Sequence, residues 1–252
     1  MKRVKKELAV EIVNISKNFG RVQALKNVSC MVDYGEVLGL LGDNGAGKST
    51  LIKILVGLYP QDKGEIYFEG KRVQFSSPQE ARAMGIETVY QDLALVELMS
   101  ISRNFFLGRE PTKKVGPFEF LDKRGMDEVC AKALSEIGIT IRSPDESVSL
   151  LSGGERQSIS IGRAIHFGVK LLILDEPTAA LSIKEARKVL DYVREAKKRG
   201  LSVIFITHNI YHVYPVADRF TILDHGIKVG DFDKKDVTSE DIVNIISKGE
   251  AT

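Results

Sequence analysis

The residues Gly42-Asp43-Asn44-Gly45-Ala46-Gly47-Lys48-Ser49-Thr50 follow directly on the apolar run Val37-Leu38-Gly39-Leu40-Leu41. They fit G-x-x-x-x-G-K-[ST] in the setting that pattern needs: a buried strand, a tight turn, then a helix. Glycines let successive backbone N–H groups turn inward on the phosphates of a nucleotide. Lys48 brings a point charge to the β- and γ-phosphates, and Ser49 offers a hydroxyl to Mg²⁺. A helix opening near Lys48 adds the positive end of its dipole. This chemistry is the binding of a nucleoside triphosphate.

Two more clusters carry chemistry. In Leu174-Asp175-Glu176-Pro177 an apolar strand ends in two acids. A carboxylate there, beside a phosphate loop, is placed to hold Mg²⁺ through water, and Asp175 fits. Glu176, one residue on, points elsewhere and could polarise an attacking water. The plainer alternative is a solvated strand end that turns at Pro177. In Leu151-Ser152-Gly153-Gly154-Glu155-Arg156-Gln157, Ser152 and Glu155 form an S-x-x-E capping box. A cap needs no glycine pair, and glycines in a first helical turn cost stability. Gly153 and Gly154 make sense where something approaches the backbone closely, so this helix start reads as a second anion site. One ATP cannot easily use both sites from a single copy.

The elements around these residues alternate. Leu8–Val13, Gln23–Leu25, Val28–Val32 and Val37–Leu41 read as strands, and Lys48–Val56 as a helix ended by Gly57. Gly64–Lys71 reads as a strand with a glycine turn, Ser77–Met84 as a short helix with Pro78 in its first turn, and Ile86–Tyr90 as a strand. Strand signals fade from about Leu93 to Phe167. That region is expected to be mostly helical, with a loop near Glu110–Phe118 and a longer helix from Asp122 or Lys123 to Gly138. Alternation then resumes: Leu171–Leu174 and Ser202–Ile206 as buried strands around an amphipathic helix, and a hairpin turning at His225-Gly226. A last helix is expected over Ser239–Ser247.

Composition sets bounds. The chain has 252 residues, 43% apolar and 28% charged, the balance of a globular protein with a real core. A net charge of +2 gives no global basic field for nucleic acid. Lys2, Arg3, Lys5 and Lys6 form a small basic arm, expected to be solvated. No apolar stretch reaches the ~18 residues of a membrane span, and no signal-peptide core follows the basic start. Cys30 and Cys130 stand far apart, against zinc and a disulfide framework, and a reducing compartment is the default.

Glycine loop, Leu-Ser-Gly-Gly-Glu-Arg-Gln and Leu-Asp-Glu-Pro, in this order, resemble the ATP-binding-cassette (ABC) ATPases over essentially the whole chain. The resemblance implies an α/β fold: a P-loop NTPase core with a parallel sheet, an antiparallel β subdomain and an inserted α-helical subdomain, here 93–167 within a single cassette of 1–252. It implies that Gln91 matches the glutamine loop that senses Mg²⁺, that His208 matches the switch histidine on the γ-phosphate, and that Phe19 matches the aromatic stacked on adenine. It implies a head-to-tail dimer, each ATP lying between the Gly42–Thr50 loop of one copy and Ser152-Gly153-Gly154 of the other. Catalysis would rest on Glu176, His208, Lys48 and Gln91, with Mg²⁺ held by Ser49, Gln91 and Asp175. One departure is Ser182, where the family usually has Asp; Ser182 also suits the cap of the next helix.

The segments Ala83–Leu95 and Asn104–Glu110 resemble ATPases of monosaccharide importers, which usually carry two fused cassettes. The expectation is a single-cassette subunit on the cytoplasmic face of the cell membrane. It would be docked to transmembrane permease subunits and served indirectly by a solute-binding protein, with no nucleic-acid partner. A nucleoside or other small-solute importer, and a soluble cassette acting on nucleic acid, are the alternatives.

Overall fold

The computed structural model describes residues 7–248; the basic arm at Lys2, Arg3, Lys5 and Lys6 lies outside them. In chain order the strands are β1 (Leu8–Phe19), β2 (Val22–Asp33), β3 (Val37–Leu41), β4 (Lys63–Phe68), β5 (Lys71–Val73), β6 (Ile86–Val89), β7 (Thr112–Val115), β8 (Phe118–Leu121), β9 (Leu171–Asp175), β10 (Ser202–Thr207), β11 (Arg219–Asp224) and β12 (Ile227–Asp233). The α-helices are α1 (Lys48–Leu55), α2 (Pro78–Ala83), α3 (Ile101–Phe106), α4 (Lys123–Glu136), α5 (Gly153–His166), α6 (Ile183–Lys198), α7 (Ile210–Val213) and α8 (Ser239–Lys248).

The central sheet runs β12-β11-β3-β10-β9-β6, parallel except for the antiparallel edge strand β12. Its inner strands are continuous apolar runs because both faces are covered. Leu172 and Leu174 of β9 enter the core formed with α5 and α6. Leu171 and Ile173 enter a second core, shared with α1 and the antiparallel sheet β2-β1-β4-β5. This period-2 division lets one sheet hold two hydrophobic layers together.

Register fixes where the chemistry sits. Thr207 pairs with Leu41, and Ile206 with Asp175, so β3, β9 and β10 end at one edge of the sheet. Beneath them, buried Arg219 binds Glu36 at 2.8 Å and Asp231 at 2.6 Å, tying the start of β3 to β11 and β12.

The segment between β6 and β9 holds α3, α4 and α5, as the faded strand signal predicts. The loop expected near Glu110–Phe118 is instead the antiparallel hairpin β7–β8, turning at Gly116-Pro117. Thr, Val and Phe favour extended backbone, and Gly116 takes φ +63°, a turn conformation suited to glycine. Both cysteines are free and buried, and burial pushes each thiol up to about 12.

Candidate nucleotide site

The cradle begins with two glycines that no other residue can replace. Gly42 has φ +143°, and a Cβ there would sit 2.2 Å from the Leu223 carbonyl oxygen. Gly47 has φ +100° and lies against Leu25 and the Ala24 carbonyl. Gly47 is also the N-cap of α1 and makes no side-chain cap, so the first helical turn keeps its donors for a ligand. The β11–β12 turn braces the loop, with the Gly226 N–H donating to the Ala46 carbonyl at 3.1 Å. Lys48 is only 7% exposed, and its Nζ donates to the carbonyls of Gly42 at 2.6 Å and Asp43 at 2.9 Å. Burial lowers its pKa, opposed by the charges of Glu176, Asp175 and Asp43.

The acids stand across the cleft. Burial, then the adjacent Glu176, raise the pKa of Asp175 above the ordinary carboxylate value, against the pull of Lys48. Glu176 takes φ +48°, a left-handed conformation rare for a residue with a side chain. It is held there by its N–H donating to the Ile206 carbonyl at 3.0 Å. Its Oε1 accepts from the His208 N–H at 3.0 Å and lies 2.7 Å from His208 Nδ1, while Oε2 accepts from Thr207 Oγ1 at 3.0 Å. The turn after β9 therefore aims this carboxylate along the edge of β10.

The structure brings together Asn44, Gly45, Ala46, Gly47, Lys48, Ser49, Thr50, Gln91, Asp175, Glu176 and His208 around one cleft of about 650 Å³. Gly42 and Asp43 lie behind it and bind the Lys48 ammonium. Phe19 is not on its wall; it stands 43% exposed at the end of β1, its ring edge-on to Tyr59. His225, which sequence reasoning used only as a turn, lines the cleft. The oxygen donors of Ser49, Gln91 and Asp175 are hard ligands that fit Mg²⁺, an ion that keeps waters and substrate phosphates in its shell.

Ser152, Gly153 and Gly154 lie elsewhere. Ser152 caps α5: its Oγ accepts the Glu155 N–H at 3.2 Å, and Glu155 accepts the Ser152 N–H at 2.8 Å. Arg156 steadies this start by donating to the Leu151 and Ser149 carbonyls and pairing with Glu97. Ser152 and Gly154 open on a second cleft, which also holds Glu185. Ser182 caps α6 in a second capping box, with Glu185.

A phosphate cradle after β3, paired acids after β9, a histidine after β10 and a glycine-opened helix start define the ATP-binding cassette of an ABC ATPase. Residues 25–179 match the family model described as ABC transporter, and the chain belongs to that family. It is 48% identical to the xylose/arabinose import ATP-binding protein XylG of Sulfolobus acidocaldarius, across 94% of this chain and 93% of that one. It is 47% identical to the fructose import ATP-binding protein FrcA of Rhizobium meliloti, across 90% of this chain and 89% of that one. The ribose import ATP-binding protein RbsA of Caldanaerobacter subterraneus subsp. tengcongensis is 38% identical, and the match spans 95% of this chain but 48% of that protein. The fold superimposes on MJ1267, an ATP-binding cassette of an ABC transporter in its ADP conformation, with a TM-score of 0.81 and 28% identity over 95% of both chains.

Proposed function

We propose that this chain is the ATP-hydrolysing subunit that powers import of a monosaccharide through separate membrane permease subunits. The observation that carries the reading is the split of two anion-binding helix starts. One opens on the cleft with Lys48, Asp175, Glu176 and His208, and the other on a cleft of its own. Two copies placed head to tail bring one start of each kind to every nucleotide. Lys48 then meets the charge developing on the γ-phosphate; Ser49, Gln91 and Asp175 would hold Mg²⁺, which when bound would supply further charge stabilisation there. Glu176 orients the attacking water, His208 and the Ser152-Gly153-Gly154 turn of the second copy hold the γ-phosphate, and Phe19, exposed at the end of β1 outside the cleft wall, offers its ring to an adenine that extends beyond the phosphates.

Residues 1–252 act as one cassette, with 93–167 as its inserted helical part. Beside Gln91 that part and the β6 region together form a cavity of about 190 Å³, walled by Tyr90, Leu93, Leu95, Leu107 and Arg163 among others. Its walls mix these apolar side chains with Arg163 and the Arg82–Glu87 ion pair, a lining that suits a short amphipathic helical segment of a permease. Among the described residues no helix is long and apolar enough to cross a membrane. The import ATP-binding proteins among the relatives support a peripheral place on the cytoplasmic face. The sugars named in the relatives favour a monosaccharide over a nucleoside, delivered by a solute-binding protein.

The test is reconstitution with candidate permease subunits in liposomes. Monosaccharide-loaded binding protein should stimulate ATP hydrolysis. Stimulation by DNA or RNA instead, with steep salt dependence, would replace this reading by a nucleic-acid machine.

A further inference from the structure

Glu185 is an anion already bound at the second helix start. Its Oε1 accepts the N–H of Gly154 at 3.2 Å, across a sequence gap of 31 residues. Its Oε2 accepts from the Ser182 N–H at 3.0 Å and the Ser182 hydroxyl at 2.7 Å. The Ser182 hydroxyl and N–H, with lesser help from Ser152 and the Gly154 N–H, hold its carboxyl below the ordinary range. Gly154 is what allows the contact. A Cβ there would lie 2.5 Å from Glu185 Cγ and 2.6 Å from Oε1. The α6 capping box needs only the oxygen on Ser182, so the bond to Gly154 is additional to it.

We infer that the Glu185 carboxylate occupies the Gly154 donor until the γ-phosphate of a partner-bound nucleotide displaces it, so that Glu185 sets the ATP concentration at which two copies close. The inference rests on the reading that Ser152-Gly153-Gly154 receives nucleotide from a second copy. One N–H cannot serve a carboxylate and a phosphate together, and two anions brought side by side repel. Displaced, Glu185 keeps its Ser182 bonds and the helix keeps its cap. The device makes Glu185 a positioning residue: it tunes closure without touching the reacting atoms.

The test is sedimentation of Glu176→Gln chains over a range of ATP concentrations, with and without Glu185→Gln. Glutamine at that position can still close the capping box but carries no charge. The ATP midpoint for dimer formation should fall about threefold or more at low salt, and the gap should narrow at high salt. Nucleotide affinity of the monomer should not change, which a general loss of structure would not spare. Glu185→Ala should also lower the midpoint while lowering the melting temperature, which separates closure from stability. An unchanged or raised midpoint in folded Glu185→Gln protein overturns the inference alone. A Glu176→Gln parent that stays monomeric at saturating ATP overturns the dimer reading, and this inference with it.

Discussion

Nδ1 of His208 stands 2.7 Å from Oε1 of Glu176, and the same oxygen accepts the His208 backbone N–H at 3.0 Å. The residue expected to polarise water and the residue expected to hold the γ-phosphate are thus aimed by each other. Thr207 fixes the second carboxylate oxygen. Replacing Glu176 by Gln keeps the shape and removes the base. Single-turnover measurements should show chemistry slowed about 10²- to 10⁴-fold. Nucleotide affinity should be retained.

Among the described residues the Lys48 ammonium donates to two backbone carbonyls and pairs with no carboxylate, and Lys48 lines the cleft that holds Asp175 and Glu176. Lys48→Ala should cost about 1.5–3 kcal/mol of charge-assisted contact, or roughly 10- to 150-fold in ATP affinity. Titration with a fluorescent nucleotide reads the change directly.

Asp175 has its pKa raised by folding from the ordinary value of 3.8, with burial the main cause. The folded chain therefore binds this proton more tightly than the unfolded chain does. Stability contributed here is greatest below the unfolded pKa and falls as pH rises through the folded one. At neutral pH the ionised carboxylate is a net cost. Asp175→Asn should therefore melt above the parent at pH 7–8, with the gap closing as the pH is lowered toward the carboxylate range. The same variant should need more Mg²⁺ for hydrolysis.

Arg219 serves the fold beneath the site. Arg219→Met removes the cation from Glu36 and Asp231 and should destabilise by about 3–5 kcal/mol. At about 2–4 °C per kcal/mol for a chain of this size, calorimetry should show a loss of about 6–20 °C. ATP affinity of the protein that remains folded should change little.

Much of this was legible in the sequence because short-range spacing carries it. The run Val37–Leu41 followed by Gly42–Thr50 specifies strand, loop and helix locally, and Asp175 and Glu176 sit where an apolar strand must end. The hairpin β7–β8 was missed for the opposite reason. Its strands, Thr112–Val115 and Phe118–Leu121, are too short to show periodicity, and Gly116-Pro117 reads equally well as loop. Ser182 is legible as a helix cap, yet the bond from Glu185 to Gly154 depends on how α5 and α6 pack. No spacing rule reports that packing. The Glu176–His208 pair likewise needs β9 and β10 to be neighbours in register.

The central claim is that each nucleotide is clasped by the glycine loop of one copy and the Ser152 turn of another. It is tested by mixing two inactive variants, Lys48→Ala and Ser152→Phe, and measuring ATP hydrolysis. Half of randomly paired dimers are mixed, and each then has one site with both faces intact, so activity should return to about a quarter of the parent value. If loop and turn of a single copy serve the same nucleotide, the mixture will stay as inactive as its components.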